Sequence, residues 1–315
     1  MKCFVTGASG YIGSCLVKRL SQEGHEIIGL IHNNPPKNTY KNVEYKKGDI
    51  TDIKSIEPIV KEIDVVFHCA AHVKDYGVKT KFLDINVNGT KNLIQVCKEN
   101  EVKRFIFISH MRYEKSKKMS FYSETKHIAE EILKEEHQNN NFPFVIIKPG
   151  NVYGPDATIW VVRNINSIKK GRISLIDSGK GIFHHTYIDN LLDALILSMD
   201  KPEAVGKSFN ITDGDNSVTF KEYFNRLSKM LGKKPIERNM SKKAAMFVGK
   251  LMLFLNKIFR IEPWVTPFSV EILTNQKYID IKEARDLLGY TPKVDFNQGM
   301  SNVENWLKNE RYINE

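Results

Sequence analysis

The sequence predicts an α/β fold, a doubly wound parallel sheet joined to a smaller, mainly helical domain. Three observations carry this. Strand-like and helical patterns alternate through the first half of the 315-residue chain, the rhythm of a parallel sheet with helical crossovers. A turn with three glycines joins the first strand to the first helix. The alternation then stops at Pro149-Gly150, beyond which shorter elements mix.

The elements follow in order. Strands are expected at Lys2 to Thr6, Glu26 to Ile31, Val43 to Lys47, Val65 to His68, Arg104 to Ser109 and Phe144 to Lys148, where apolar and β-branched residues cluster between turn signals. Helices are expected near Ile12 to Glu23, Phe82 to Asn100 and Phe121 to Asn139. The second half reads as helices near Ile159 to Lys170 and Asp189 to Met199, a strand at Ser208 to Ile211, and helices near Phe220 to Leu231 and Asn297 to Lys308. These define domains at residues 1–150 and 151–315, with some later segments returning to the first. Neither contains an internal repeat or a low-complexity linker, so the two are expected to pack together.

Composition narrows the class. With 41% apolar residues the chain has ample core, and no apolar leader precedes the first strand, so a cytoplasmic protein is expected. The four cysteines, Cys3, Cys15, Cys69 and Cys97, lack CxxC spacing and read as reduced core residues. No metal site is expected. The charge of +10 comes from scattered lysines, not a basic arm, which argues against a nucleic-acid partner.

Gly7, Gly10 and Gly13 stand where strand becomes helix, in Thr6-Gly7-Ala8-Ser9-Gly10-Tyr11-Ile12-Gly13. Residues without a Cβ let the backbone turn tightly and approach a pyrophosphate, and the helix N-terminus directs its free N–H groups at the anion. This is the fingerprint of a Rossmann-type dinucleotide-binding half.

The spacing resembles the TGxxGxxG form of the short-chain dehydrogenases/reductases, and the likeness extends along the chain. Gly48-Asp49-Ile50 resembles the family's adenine-contacting segment, and Phe67-His68-Cys69-Ala70-Ala71 its HxAA-type strand end. Asn86-Val87-Asn88-Gly89-Thr90-Lys91-Asn92 resembles the NxxGTxN helix of the extended subgroup, and Tyr122-Ser123-Glu124-Thr125-Lys126 its YxxxK. Pro149-Gly150-Asn151-Val152-Tyr153-Gly154-Pro155 is similar to its PxxVYGP turn, and Tyr187-Ile188-Asp189-Asn190 to a later segment beside the cofactor. The resemblance implies a nicotinamide cofactor held by Gly7, Ser9, Gly10, Tyr11, Ile12, Gly13, His32, Asp49, Ile50, Ala70, Ala71, Tyr122, Lys126, Pro149, Asn151 and Val152. No acidic residue closes the second strand to bind a ribose 2′-OH; His32, with Lys37, suits a 2′-phosphate. The expected cofactor is NADP or NAD, with NADP favoured.

Tyr122 and Lys126 are four apart in a helix, so they share a face. An ammonium beside the phenol is expected to lower its pKa, making Tyr122 the acid/base for hydride transfer at a carbinol or carbonyl carbon. By resemblance Lys126 also holds the nicotinamide ribose, and Asn86 orders the helix and supports a proton relay. One departure stands out. Where the family has a serine or threonine after the fifth strand, Phe107-Ile108-Ser109-His110 places His110, with Ser109 one residue earlier. Adjacent side chains of a strand point to opposite faces, so Ser109 replaces the missing hydroxyl only if the strand end bends. His110 reads either as an oxygen-binding donor or as the mark of an impaired site.

Residues 243–261, KAAMFVGKLMLFLNKIFRI, are apolar nearly all round except for Lys243, Lys250 and Lys257, which recur every seven residues. Such a helix lies at a membrane interface or covers an apolar pocket, or else is simply buried or forms a dimer. The run Glu114 to Lys118 near the site mouth suits either an anionic substrate or a solvated loop. With Glu262 to Phe268, Tyr278 to Asp280 and Leu288 to Pro292, the second half resembles the 3β-hydroxysteroid dehydrogenase and sterol C4-decarboxylase branch, which implies an apolar, hydroxysteroid-like alcohol or ketone. The nucleotide-sugar epimerase, dehydratase and reductase branch is the alternative, although Gly181 to His185 lacks the arginine common there. A non-catalytic dinucleotide sensor is a third reading. Relatives imply a homodimer through the helices around 82–100 and 121–139.

Overall fold

A computed structural model describes residues 1–36, 38–111 and 120–313. Strands β1 (Lys2–Thr6), β2 (Glu26–Ile31), β3 (Val43–Lys47), β4 (Val65–His68), β5 (Arg104–Ile108) and β6 (Phe144–Pro149) form one parallel sheet. Helix α1 (Tyr11–Gln22) follows β1, α2 (Gly89–Glu99) precedes β5, and α3 (Phe121–Asn140) leads into β6.

Beyond β6, β7 (Asn151–Tyr153) pairs with β8 (His185–Tyr187) outside the main sheet. Helix α4 (Ile188–Asp200) then leads to β9 (Lys207–Ile211), which adds to the sheet beside β6. The order is β9-β6-β5-β4-β1-β2-β3, so both halves of the chain contribute strands. It reverses direction between β1 and β4, and such a switch point opens a crevice at the carboxyl ends of the strands.

Alternation along each strand builds the two faces. Phe4, Val66, Phe105 and Phe107 pack on one side with Leu93 and Cys97 of α2 and Ala129 and Leu133 of α3. Val5, Phe67, Ile106 and Ile108 pack on the other with Leu16 of α1, Leu191 of α4 and much of the second half. Both faces are covered, which is why the central strands β1, β4, β5 and β6 are largely apolar rather than alternating with polar residues, while the edge strands β3 and β9 keep exposed polar positions.

The helix expected over 82–100 is interrupted. A short helix at Lys79–Leu83 passes through a π-helical turn at Asp84–Asn88 before α2 begins. The widened turn holds Asn86, whose side chain bonds outside the helix; π-turns of this kind cluster at functional sites. All four cysteines are free, Cys3 and Cys97 buried and Cys15 and Cys69 partly so.

The chain continues through α5 (Phe220–Met230), α6 (Lys242–Phe259), α7 (Pro267–Leu273) and α8 (Phe296–Asn309). Helices α6 and α7 share a small separate core of Ala245, Val265, Val270 and Ile176.

Candidate active site

The glycine turn lies at the switch point. Gly7 has φ +67°, and a Cβ there would stand 2.8 Å from the Ala70 nitrogen; a Cβ on Gly13 would stand 2.2 Å from the Gly7 carbonyl. The two glycines thus let the β1 turn, the loop after β4 and α1 meet without a side chain between them. Gly10 opens α1 with no side-chain cap, leaving N–H groups at the helix start for an anion. This cradle fits a dinucleotide pyrophosphate. Ser9 lies in the turn, and Tyr11 and Ile12 in the first turn of α1. The Tyr11 hydroxyl is buried where a Cβ on Gly154 would stand 2.9 Å away. It lacks a hydrogen-bond partner among the described residues, and burial pushes its pKa up.

A buried polar chain runs beneath the cradle. Thr6 Oγ1 accepts from the Ala70 N–H at 3.1 Å and lies 2.8 Å from His68 Nδ1. His68 Nε2 lies 3.0 Å from Thr90 Oγ1, whose own proton goes to the Asn86 carbonyl at 2.8 Å. Each hydroxyl has one proton, so the direction is set: His68 donates from Nε2 to Thr90 and accepts at Nδ1 from Thr6. The ring is neutral, and burial, reinforced by the charge of Lys126, pulls its pKa down to about 3.

Asn86 extends the chain to α3. Its Oδ1 accepts from the His72 N–H at 2.7 Å and its Nδ2 donates to Thr125 Oγ1 at 3.0 Å. The loop carrying Ala70 and Ala71 is thereby tied to the residue next to Lys126. Thr6, His68, Thr90 and Thr125 lie in the motifs read from the sequence but were given no role there; for Thr6 and His68 the signal was a polar residue closing an apolar strand.

Tyr122 and Lys126 share one face of α3, but the electrostatics differ from expectation. Lys126 is buried with Nζ 3.7 Å from the centroid of the Phe107 ring. Burial lowers its pKa to about 7, opposed by Glu130 and Cys69. The Tyr122 phenol is pushed up, not down, with burial the cause. In this state desolvation outweighs the ammonium, which is itself desolvated and held over an aromatic face.

The two residues after β5 part company. Ser109 is buried and donates to Glu130, whose other carboxylate oxygen accepts from Lys148 at 2.8 Å. Glu130 is eight residues beyond Tyr122, about 12 Å along the helix axis at 1.5 Å per residue. Ser109 therefore serves this buried ion pair and does not replace the missing hydroxyl. His110 instead reaches Tyr122, its ring 5.1 Å from the phenol ring and its Nε2 2.7 Å from Ser123 Oγ. Sequence reasoning missed Glu130, although its position four residues after Lys126 puts it on the same helix face.

Past the end of β2, His32 Nε2 lies 3.2 Å from Asp49 Oδ2, both side chains well exposed. Asp49 Oδ1 also accepts from the Thr51 N–H at 2.8 Å. Ile50 is buried against Gly89, where a Cβ would stand 2.7 Å from the Ile50 side chain. Lys37 and the run Glu114 to Lys118 lie outside the described residues.

Pro149 ends β6, and the chain turns where a Cβ on Gly150 would stand 2.1 Å from the His184 carbonyl. Asn151 bonds that same carbonyl through its N–H at 2.7 Å. Its side-chain nitrogen is buried without a partner among the described residues, and Val152 beside it is half-buried. Phe183, His184 and His185 are buried; His184 Nε2 lies 2.7 Å from the Lys277 carbonyl and His185 Nδ1 2.8 Å from Asp213. Among the described residues no group of three or more His, Cys, Asp and Glu side chains is placed to hold a metal.

Comparison with known proteins places this geometry. The pattern of the NAD dependent epimerase/dehydratase family matches residues 3–212. The chain is similar to a 2-alkyl-3-oxoalkanoate reductase of Stenotrophomonas maltophilia, with 26% identity over 96% of this chain and 98% of the relative. It is equally similar to the decarboxylating sterol-4-alpha-carboxylate 3-dehydrogenase of Mus musculus, 26% identical over 95% of this chain and 89% of that protein. Among solved structures it resembles a UDP-glucose 4-epimerase of Thermotoga maritima, with a TM-score of 0.80, 21% identity, and coverage of 99% of this chain and 100% of the other.

Proposed function

From the premise that the chain belongs to the NAD dependent epimerase/dehydratase family, we propose that it is a nicotinamide-dependent oxidoreductase acting on a hydroxyl or keto carbon of an apolar, hydroxysteroid-like substrate. The observation that carries this reading is Tyr122 on one helix face with Lys126, tied through Thr125 and Asn86 to the glycine cradle. A nicotinamide bound there supplies the hydride donor or acceptor.

The chain's own residues do the rest. Gly7, Gly10, Gly13, Ser9 and Ile12 receive the pyrophosphate, and Asp49 and Ile50 with Ala70 and Ala71 flank the adenosine side. Tyr122 exchanges the proton of the reacting oxygen, and the partly charged Lys126 anchors the nicotinamide ribose. His110 stands beside Tyr122 in place of the usual hydroxyl, and Pro149, Asn151 and Val152 close the nicotinamide side. The absence of a carboxylate at the end of β2 favours NADP, with His32 meeting the 2′-phosphate; Asp49 at 3.2 Å opposes that phosphate. A homodimer through α2 and α3 completes the reading.

Support for an apolar substrate comes from the relatives and from the buried, arginine-free stretch Phe183 to His185. The names 2-alkyl-3-oxoalkanoate reductase and sterol-4-alpha-carboxylate 3-dehydrogenase both place a carboxylate on the carbon beside the reacting one, so apolar 3-oxo acids belong in the test. Purified protein is expected to oxidise NADPH, and NADH more slowly, with such 3-oxo acids or with ketosteroids, and to reduce the oxidised cofactor with the corresponding hydroxysteroids. Turnover of a UDP-sugar alone would assign the nucleotide-sugar branch, and tight cofactor binding without turnover a sensor. His110→Ser is expected to lower the rate; a large gain would mean that His110 impairs the site.

A further inference from the structure

Helix α6 buries only Ala245 and Gly249. Its inner side, with Val248 and Met252, rests on Val265 and Val270, and Gly249 approaches Pro267 so closely that a Cβ would stand 3.0 Å from its nitrogen. The opposite side faces outward. Phe247, Leu251, Phe254 and Ile258 recur at i, i+4, i+7 and i+11, a single helical stripe, and are 70%, 44%, 58% and 53% exposed. Phe259, Ile261 and Trp264 continue the apolar surface past the helix end.

Lys243, Lys250 and Lys257, spaced by seven, run beside that stripe, all exposed. Neither they nor Arg260 form an ion pair among the described residues. No acidic residue occurs from Lys242 to Ile261. A solvated surface does not maintain so large an apolar row. A two-fold copy of this face would bring lysine rows together with no carboxylate opposite, and lysine is depleted from interface cores. A bilayer with anionic headgroups satisfies both rows: the phenylalanines enter the acyl boundary while the lysines reach phosphates. No helix among the described residues is long and apolar enough to cross a membrane, so contact is in the plane of the interface.

We propose that α6, with Phe259, Ile261 and Trp264, docks this protein on anionic lipid bilayers. The helix end is joined to the site's rim, because Tyr76 donates to Glu262 at 2.8 Å and Thr266 to Asp75 at 3.4 Å, and residues 72–78 continue directly from Ala70 and Ala71. Docking therefore brings the mouth of the site to the membrane. That substrate enters from the bilayer rests on the apolar-substrate reading; the docking itself does not.

Co-sedimentation of the full chain with vesicles of phosphatidylcholine alone, or of equal parts phosphatidylcholine and phosphatidylglycerol, tests it. Binding is expected to the anionic vesicles, weakening with salt, and at least tenfold weaker to the neutral ones. Leu251→Gln with Phe254→Gln is expected to lower affinity tenfold or more, and Lys243→Gln, Lys250→Gln and Lys257→Gln together about a hundredfold. These side chains are exposed, so cofactor binding is expected to be unchanged in both variants, which separates lost docking from lost fold. Absence of binding to anionic vesicles, or binding that both variants retain, overturns the proposal. So does a dimer in sedimentation velocity that Phe254→Gln dissociates, which would assign the face to a second copy.

Discussion

Helices α3 and α6 are of similar length and each inverts the usual pattern of burial. Along α3, Ser123, Lys126 and Glu130 point inward and are almost fully buried; along α6, Phe247 and Phe254 point outward. Charged groups rarely enter a core unless paired, and large apolar rows rarely stay in water. The inversions differ in what stabilises them. On α3 each buried polar group meets a partner within the chain: Glu130 takes Ser109 and Lys148, and Lys126 lies over Phe107. On α6 the outward row stays exposed among the described residues, and the proposed complement is a bilayer.

The difference is broken most severely at Tyr122. Tyr122→Phe is expected to lower kcat by about 10²- to 10⁴-fold, the range for a lost general acid/base, while fluorescence titration shows cofactor binding retained; undiminished turnover would sink the proposed role. The buried scaffold under α3 is probed next through pH. Folded His68 resists protonation down to about 3 against an ordinary 6.5, so between those values the unfolded chain binds more protons and stability falls as pH is lowered. At about 1.4 kcal/mol per pKa unit the loss approaches 5 kcal/mol. Urea unfolding from pH 6.5 downward should show this slope, and His68→Asn should flatten it by about one proton.

Glu130→Ala leaves Lys148 without its carboxylate, and loss of one member of a buried pair costs about 3–5 kcal/mol. A denaturation midpoint close to that of the unaltered chain would show that the ion pair is not needed. The smallest effect is expected on α6, where Leu251→Gln and Phe254→Gln should each change stability by no more than about 0.5 kcal/mol. A loss of several kcal/mol in thermal unfolding would mean that the row is packed in solution, and the contrast with α3 would fail.

Much of this was legible locally. Strands β1, β2 and β4 to β6 followed from apolar runs between turns, β3 from its place in the strand–helix alternation, and the spacing of Gly7, Gly10 and Gly13 announced the cradle. Tyr122 and Lys126 were visible at i and i+4. The π-turn at Asp84–Asn88 was not, because it depends on Asn86 reaching His72 and Thr125, partners 14 and 39 residues away. The phenol's shift was misjudged for a related reason: spacing places a charge near Tyr122 but carries no measure of how deeply both are desolvated.

Sequence by itself determined that a glycine turn joins the first strand to the first helix in a form that fits a pyrophosphate, since absent Cβ atoms and a free helix start are local properties. It also determined that α6 is apolar with a lysine row. Only the tertiary structure decided that His110 rather than Ser109 stands at Tyr122, that His68 is neutral, and that the phenylalanines of α6 face outward. Each of these depends on which distant elements lie against a side chain, and β4, α2, α3 and α7 supply those neighbours through the packing of the sheet and its helices.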